Sequence, residues 1–328
     1  MHVLIVHNSI IPAHKYGGTE RVIWYLGKEL TKQGHKVSYL VKGGSHCHFA
    51  NIFIYETNKA LSAQIPASVD LVHFNGVEPD ENIKTPYIVT QHGNIKSRQN
   101  LDKNTIFVSQ DHALRHNSTT FVYNGIDWDD YGKFSLNKAK KHFHYLAKAA
   151  WRVKNIAGAI ETVTETPNEK LVVLGGSRLN FKMGFRFTPS PRIYFKGMVG
   201  GEDKFQWMRS SKGLIFPVKW HEPFGLAIIE SLFFGCPIFG TPYGSLPELV
   251  NKDIGFLTNN RQNLTEAIMH SEQFNQQICH ELAVDVFNSK IMCDKYLKYY
   301  EIVLNGNTLN TLSPKMVKAG KDIGDGWC

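Results

Sequence analysis

Two glutamates eight positions apart have the spacing that most directly suggests chemistry in this sequence. Glu222 follows the apolar run GLIFPV, and Glu230 lies within the next apolar segment, LAIIESLFF. At about 1.5 Å per helical residue the two carboxylates are separated by roughly 12 Å or less, a span comparable with that from a sugar across a diphosphate to a ribose. Each carboxylate could then accept hydrogen bonds from hydroxyl groups at one end of such a ligand.

The residues between these glutamates could serve the centre of the same ligand. Phe224, Gly225 and Leu226 stand at the predicted start of a helix, where N–H groups and the positive end of the helix dipole can face phosphates. The simpler alternative is a solvated helix with two surface glutamates. Glu230 argues against it, because an ionised carboxylate within an apolar run is costly without a partner.

A second candidate anion site lies near the start of the chain. Gly17 and Gly18 come after the first apolar run and directly before a predicted helix that ends near Gly34. Glycine permits close approach of a phosphate to a helix N-terminus. For an isolated pair of glycines a simple turn is the better explanation, since the chain has neither a G-x-G-x-x-G fingerprint nor a Walker loop.

Short apolar runs that alternate with helical patterns or loops predict an α/β fold with mostly parallel, buried strands. Because a polar stretch near residues 128–142 separates two series of such runs, we expect two α/β halves with a cleft between them. The predicted domains are 1–140 and 141–288, followed by a helix over 289–305 as a candidate to pack back on the first domain, and a tail over 306–328. The predicted strands are 2–7, 36–42, 51–56, 69–75, 86–91, 105–109, 119–124, 143–147, 170–176, 192–197, 213–218 and 236–240.

Composition narrows the class of protein and its partners. The 328 residues carry a formal net charge of +8, which suits an anionic partner, and five scattered cysteines without a C-x-x-C pair favour reduced thiols. We find no signal peptide, no spanning segment and no zinc-finger or RNA-binding signature. The expected location is therefore the cytoplasm, and nucleic acid is disfavoured as a partner.

Several segments together resemble a known family. The segment EPFGLAIIE is similar to the signature of retaining family-4 glycosyltransferases, the group 1 glycosyl transferases with the GT-B fold of two Rossmann-like domains. Weaker motifs follow in that family's order over roughly residues 1–305: GGTERV, TQHG, VSQDH, YNGID, LVVLGG, YFKGMV and GCPIFGTPYGSLPELV. The resemblance implies transfer of a sugar from a nucleoside diphosphate sugar, of the UDP or GDP type, to an acceptor hydroxyl with retention of configuration.

The resemblance also implies roles for individual residues. Glu222 would hold the donor sugar and Glu230 the ribose, while Gly17 and Gly18 would lie near the diphosphate and the acceptor. Beyond these four, His92 would lie near the sugar and the reaction centre, and Met198 and Val199 would lie where the base docks. Without the family context, His92 is better read as a core or loop histidine.

One part of the sequence departs from the family pattern. The family generally places an arginine and a lysine after the first strand of its second domain, to stabilise the charge of the departing diphosphate. This chain has Lys148 at the expected arginine position and Lys154 one step later than the commonest spacing, with Arg152 between them. A lysine offers a point charge rather than a bidentate fork, so it would bind the diphosphate differently.

The sequence therefore predicts a metal-independent retaining glycosyltransferase that acts on a saccharide or lipid-linked acceptor in polysaccharide, lipopolysaccharide or glycoconjugate biosynthesis. The alternatives are a catalytically silent nucleotide-sugar-binding subunit and a same-fold epimerase or phosphorylase. Basic residues near Lys138 to Lys148 could contact anionic lipid at the inner face of a membrane. Asp127-Trp128-Asp129 is interpreted as a turn rather than a metal-binding D-x-D, and His112 and His116 as solvent-facing.

Overall fold

The computed structural model describes residues 1–13, 17–95, 99–136, 138–181, 184–317 and 327. These residues form two compact units. Unit 1 comprises residues 1–127 and 287–319, and unit 2 comprises residues 128–286 and 320–328, each within the described ranges.

Unit 1 is built on a sheet of six parallel strands. The strands are β1 (His2–His7), β2 (Lys36–Val41), β3 (Asn51–Ile54), β4 (Leu71–Asn75), β5 (Tyr87–Gln91) and β6 (Thr105–Phe107). Their order is β3-β2-β1-β4-β5-β6, which is the doubly wound arrangement. Apolar side chains on β1, β2, β4 and β5 form one core cluster of the sheet, including Leu4, Leu40, Val72, Phe74 and Val89.

Unit 2 repeats this arrangement with a second set of strands. They are β7 (His142–Leu146), β8 (Leu171–Leu174), β9 (Leu179–Asn180), β10 (Arg186–Phe187), β11 (Ile193–Phe195), β12 (Ser211–Phe216), β13 (Ile238–Gly240) and β14 (Gly255–Leu257). Six of them form a parallel sheet in the order β11-β8-β7-β12-β13-β14, and β9 and β10 form a separate antiparallel pair. Two Rossmann-like α/β domains are therefore confirmed.

The described helices follow in chain order. They are α1 (Thr19–Lys32), α2 (Gln110–Leu114), α3 (Ile156–Thr164), α4 (Gly201–Arg209), α5 (Leu226–Phe233), α6 (Leu246–Leu249), α7 (Arg261–Met269), α8 (Gln276–Val286) and α9 (Ser289–Leu304). Of these, α1 begins and ends as the sequence predicts and buries Val22, Ile23, Leu26 and Leu30 along one stripe. None of the described helices has the length and apolarity needed to cross a bilayer.

Helix α9 belongs to unit 1, although it lies near the end of the chain. It contacts α1 and β5. The hydroxyl of Tyr296 hydrogen-bonds the hydroxyl of Thr90 at 3.1 Å, and the hydroxyl of Tyr300 lies 2.9 Å from Nδ1 of His73. Beyond α9, Asn310 donates to the carbonyls of Lys103 and Thr105. Asn310 thus anchors the segment that follows α9 on unit 1 through buried polar contacts.

The largest differences from the predicted boundaries and strands concern the end of the first unit, one predicted strand and three strands that were not predicted. The first unit ends at Asp127 rather than 140, because Trp128 stacks on Phe233 and Tyr131 bonds to Glu230, both in unit 2. The predicted strand over 119–124 forms only a single bridge, between Phe121 and Phe107. The β9–β10 hairpin and β14 were not predicted, because their runs are short and carry no alternation.

Candidate functional site

In unit 2 the chain brings together two loops that follow neighbouring strands. β7 leads into the segment with Lys148, Arg152 and Lys154, and β12 leads into the segment with Glu222. The N–H of Lys219 donates to the carbonyl of Val153 at 2.7 Å. Because β7 and β12 are adjacent and parallel, their carboxyl ends meet at one edge of the sheet, where ligands of such sheets bind.

Asn155 fixes the end of the first of these loops. Its backbone is left-handed (φ 50°), and its side-chain oxygen accepts from the N–H of Gly158 as the N-cap of α3. Its side-chain nitrogen donates to the carbonyl of Pro217 in the β12 loop at 2.9 Å. One asparagine thus starts α3 and ties the two loops to each other.

Lys154 and Glu222 form a buried ion pair at this edge. The Lys154 Nζ lies 2.5 Å from Oε2 of Glu222, and both side chains are buried. The indole N–H of Trp220 donates to the same oxygen at 2.6 Å, and Lys154 Nζ lies 4.7 Å from the centre of the Trp220 ring. A buried carboxylate and ammonium stay charged only when they are paired and hydrogen-bonded, and here both conditions hold.

A third strand end supports the Glu222 loop. Gly244, in the loop after β13, is left-handed (φ +66°), and a Cβ at this position would collide with the backbone of Glu222. The N–H of Ser245 donates to the carbonyl of Glu222 at 2.9 Å, and its hydroxyl donates to the carbonyl of Phe224 at 2.7 Å. These contacts orient the backbone around Glu222.

Sequence reasoning missed the supporting roles of Trp220, Gly244 and Ser245. The signal was present, since GTPYGS follows an apolar run that becomes β13, the neighbour of β12. The order of the strands was needed to show that this loop meets the Glu222 loop.

The other two predicted cations remain exposed. Lys148 lies in the turn after β7, with Nζ 5.6 Å from the centre of the Trp151 ring, and Arg152 begins the following 3₁₀ turn. The turn is held by Gly175 and Gly176, because the N–H of Ala149 donates to the carbonyl of Gly175 at 2.7 Å and a Cβ on Gly176 would lie 2.5 Å from that of Ala149. The site therefore has one buried cation and two exposed ones.

The predicted phosphate-facing backbone opens α5. Gly225 is the N-cap residue, with a left-handed backbone (φ +87°), and Leu226 is the first helical residue. Phe224 is buried beneath the turn, whereas Gly225 and Leu226 are partly exposed. A side chain at Gly225 would be strained, since its Cβ would lie 2.9 Å from Cδ1 of Ile228. Glycine is thus required where the loop becomes the helix.

Glu230 has internal partners that the sequence argument did not foresee. It is almost fully buried on α5, Lys204 Nζ lies 2.5 Å from its Oε1, and the Tyr131 hydroxyl donates to the same atom. Lys204 and Tyr131 therefore offset the free-energy cost of burying the Glu230 carboxylate. Its burial is no longer an argument for a contact with a ribose. A ribose contact at Glu230 stays a prediction.

Met198 and Val199 follow β11 and lie next to a cavity. The cavity, of about 400 Å³, is lined at the carboxyl ends of β8 and β11 by residues 176–178 and 194–197. Met198 is exposed and Val199 partly exposed. The N–H of Gly197 donates to the carbonyl of Gly176 at 3.2 Å and so joins the two loops. The predicted base-docking residues thus come directly after the residues that line this cavity.

Unit 1 has its own cluster at the ends of three neighbouring strands. His7 ends β1, Asn75 ends β4, and His92 follows β5. Nδ1 of His7 lies 2.6 Å from the carbonyl oxygen of Asn75, and Nε2 of His92 lies 2.8 Å from its side-chain oxygen. Since an amide oxygen only accepts, Nε2 of His92 carries the proton and Nδ1 is left as an acceptor.

His92 is held neutral by its surroundings. Burial lowers its pKa to about 3, and the nearby His7 adds to this effect. A histidine with so low a pKa is uncharged at neutral pH and is a weak base. Its Nδ1 can therefore accept a hydrogen bond from a hydroxyl, but this nitrogen stays unprotonated at neutral pH.

The two predicted glycines of unit 1 differ from each other. Gly17 is buried, and a Cβ there would lie 2.6 Å from that of Ala13 and 2.9 Å from Oε2 of Glu20. Gly18 is the exposed N-cap residue of α1, and a Cβ there would meet nothing within 4 Å. Only Gly17 is sterically required, while Gly18 leaves open space at the start of the helix.

Two further predictions concerned the exposure of His112 and His116 and the role of Asp127. His112 and His116 do not face solvent, because both are buried at α2, with the His116 ring stacked on Phe107. Asp127 lies 2.8 Å from Lys28 and 3.0 Å from Lys32. Its carboxylate therefore takes part in an ion-pair cluster of unit 1.

Comparison with known proteins supports the coarser part of the resemblance drawn from the sequence, to group 1 glycosyl transferases. Residues 132–271 match the family described as "Glycosyl transferases group 1". No curated protein matches the chain by sequence. The match covers the part of unit 2 that contains Lys148, Lys154, Glu222 and Glu230.

Solved structures share the fold along nearly the whole chain. AviGT4, a glycosyltransferase involved in avilamycin A biosynthesis, is 19% identical, with a TM-score of 0.75 over 94% of this chain and 99% of that one. Sucrose-phosphate synthase from Thermosynechococcus elongatus is 15% identical, with a TM-score of 0.70 over 93% and 100%. HepE from Anabaena in complex with UDP-glucose is 16% identical, with a TM-score of 0.65 over 92% and 99%. The two Rossmann-like domains of this chain are thus those of the GT-B fold.

Proposed function

We propose that this protein is a retaining glycosyltransferase, which moves a sugar from a nucleoside diphosphate sugar to an acceptor hydroxyl without a metal ion. The observation that carries the proposal is the buried Lys154–Glu222 pair, placed beside exposed Lys148 and Arg152 at the ends of β7 and β12. This arrangement provides cations for a diphosphate and a carboxylate for a sugar hydroxyl. The family match over 132–271 and the fold shared with HepE, solved with UDP-glucose, support it.

In this proposal, unit 2 binds the donor. Lys148, Arg152 and Lys154 stabilise the negative charge that develops on the leaving diphosphate, assisted by the N–H groups at Gly225 and Leu226. Since Oε2 of Glu222 accepts from both Lys154 and Trp220, we assign the donor-sugar hydroxyl to Oε1. The base would dock at Met198 and Val199, beside the cavity at β8 and β11.

Unit 1 serves the acceptor side. His92 offers its Nδ1 as an acceptor to a hydroxyl of the reacting sugars, and the glycines at the start of α1 admit the ligand closely at Gly18. Because the pKa of His92 is about 3, this histidine is a poor general base near neutral pH. The acceptor hydroxyl attacks the anomeric carbon as the bond to the diphosphate oxygen breaks, and the leaving phosphate takes the hydroxyl proton.

Glu230 enters the proposal with a condition. A contact with the ribose diol requires the nucleotide to reach a carboxylate that Lys204 and Tyr131 already hold. Lys204→Met would leave Glu230 buried with one partner fewer. If Glu230 binds the ribose, this variant weakens nucleotide binding; if the pair is only structural, it lowers stability and leaves the affinity of the folded protein unchanged.

The test is product analysis with UDP, GDP and ADP sugars and a panel of saccharide and lipid-linked acceptors. We expect free nucleoside diphosphate together with a glycosylated acceptor, whose new bond has the anomeric configuration of the donor by NMR. Nucleotide binding without any turnover would identify a silent subunit. An isomerised donor would indicate an epimerase, and a phosphate-dependent sugar phosphate would indicate a phosphorylase.

A further inference from the structure

Glu20 provides unit 1 with a carboxylate to which the mechanism above gives no role. It follows Gly17 and Gly18 in the motif GGTERV and stands in the first turn of α1. Its Oε1 lies 3.9 Å from Nε2 of His7, and 23% of its side chain is exposed. A Cβ on Gly18 would meet nothing within 4 Å, so a ligand at the start of α1 has room to reach this carboxylate.

His7 connects Glu20 to the cluster that contains His92. Nδ1 of His7 lies 2.6 Å from the carbonyl oxygen of Asn75, and because a carbonyl oxygen only accepts, Nδ1 carries a proton. The other ring nitrogen, Nε2, is the one that faces Glu20. Asn75 accepts from Nε2 of His92 through its side-chain oxygen at 2.8 Å. These three residues and Glu20 thus form one polar cluster at the ends of β1, β4 and β5, in which only Asn75 is fully buried.

The carboxylate of Glu20 is ionised at neutral pH. Burial raises its pKa, but the side chain of His7, the N–H of Glu20 itself and the hydroxyl of Ser9 lower it further, so that the pKa lies below its ordinary value. An ionised carboxylate offers about four positions to hydrogen-bond donors. It is a strong acceptor, whereas a lowered pKa makes it a weak base. Glu20 is therefore suited to bind a hydroxyl group rather than to remove its proton.

We infer that Glu20 binds a hydroxyl group on an uncharged sugar ring of the acceptor, in the same cluster as His92. This inference rests on the proposed function and deepens it by naming the class of acceptor. A phosphate or carboxylate group beside Glu20 would meet a like charge, whereas a sugar hydroxyl would donate a charge-assisted hydrogen bond. The alternative is that Glu20 only stabilises α1, because a carboxylate in the first turn interacts favourably with the helix dipole.

The experiment measures initial rates of the full-length protein with the saccharide acceptor that gives product in the panel. Glu20→Gln keeps the size of the side chain and removes its charge, so KM for the acceptor should rise at least about tenfold while KM for the nucleotide sugar stays unchanged. Glu29→Gln changes the other glutamate of α1, near its far end, and is the matched control with wild-type KM values. Monodeoxy analogues of the acceptor locate the hydroxyl: one analogue should raise KM about tenfold in the wild type and much less in Glu20→Gln, where its partner is already altered.

The outcomes separate this inference from the proposed function. Wild-type protein that transfers sugar, with an unchanged acceptor KM in Glu20→Gln, would overturn the inference and leave the proposed function in place. A lower thermal midpoint with that unchanged KM would assign Glu20 to the stability of α1 instead. A fall in kcat alone would make Glu20 a base and would also overturn the inference. Wild-type protein that transfers no sugar to any acceptor would overturn the proposed function and the inference together.

Discussion

The two units have the same strand order but different chemistry at the ends of their strands. In unit 1, His7, Asn75 and His92 form a hydrogen-bonded cluster, and burial keeps His92 uncharged. In unit 2, Lys154 and Glu222 keep their charges because each is the other's partner. One scaffold thus has an edge with an uncharged imidazole, here called the neutral edge, which suits hydroxyl groups, and a charged edge, which suits a diphosphate.

Removing the Lys154 charge from the Lys154–Glu222 pair should have the largest effect on stability and on transfer. Lys154→Met leaves the Glu222 carboxylate buried without its cation, which should lower the free energy of unfolding by about 3–5 kcal/mol. Transfer should fall at least about tenfold, or about 1.4 kcal/mol of barrier. Urea denaturation and initial-rate assays measure the two effects.

A double variant separates stability from function at this pair. Lys154→Met with Glu222→Gln removes both charges, so most of the stability should return while the activity stays low. Wild-type turnover in the stable double variant would contradict the roles assigned to both residues.

The glycines of unit 1 provide a matched pair for the neutral edge. Gly17→Ala places a methyl group against Ala13 and Glu20 and should cost about 1–3 kcal/mol of stability. Gly18→Ala meets open space and should change stability by less than about 1 kcal/mol. Equal losses in urea denaturation would show that the start of α1 is not arranged as described.

Removing the histidine of the neutral edge should affect turnover rather than nucleotide binding. His92→Ala should reduce kcat about tenfold, through loss of one hydrogen bond worth about 1.4 kcal/mol. Its pKa of about 3 predicts that no step in the wild-type pH–rate profile between about pH 6 and pH 8 comes from this residue. A step in that range that disappears in His92→Ala would contradict this.

Low pH should destabilise both units, because each contains a buried histidine with a lowered pKa. His144 in unit 2 is buried between Ser211 and Ser231, and burial lowers its pKa to about 3; burial also lowers that of His73 in unit 1. Unfolding lets His144 bind a proton below about pH 6.5, so stability should fall as the pH falls, by at most about 1.4 kcal/mol per pH unit for this group. His144→Gln should flatten the dependence of unfolding free energy on pH, and an unchanged slope would count against this account.

The sequence was sufficient for the fold class and for the residues that follow each strand, but not for their partners. The run GLIFPV predicted the strand β12 and the loop with Glu222 that follows it, because apolar periodicity depends only on neighbouring residues. Glu230 shows the limit. Its burial was predicted, but Lys204 lies 26 residues earlier in the chain and Tyr131 lies 99 residues earlier, and only the tertiary structure brings them to its carboxylate.

For His112 and His116 the local sequence pattern led to a wrong prediction of exposure, because both side chains are buried. Their spacing of four residues suggested a solvent-facing helical pair, yet α2 is short and lies against β6, so that both rings contact Phe107. Their burial depends on the position of β6 in the sheet, and the local sequence pattern around the histidines does not predict that position.

The central claim is that the charged edge of unit 2 binds a nucleoside diphosphate, and a thermal-shift titration with UDP, GDP and ADP tests it most directly. A ligand that binds only the folded state raises the unfolding midpoint. We expect at least one of the three nucleotides to raise it for the wild type and for His92→Ala, but not for the stable Lys154→Met and Glu222→Gln double variant. No shift with any nucleotide, or a full shift in the double variant, would contradict the claim.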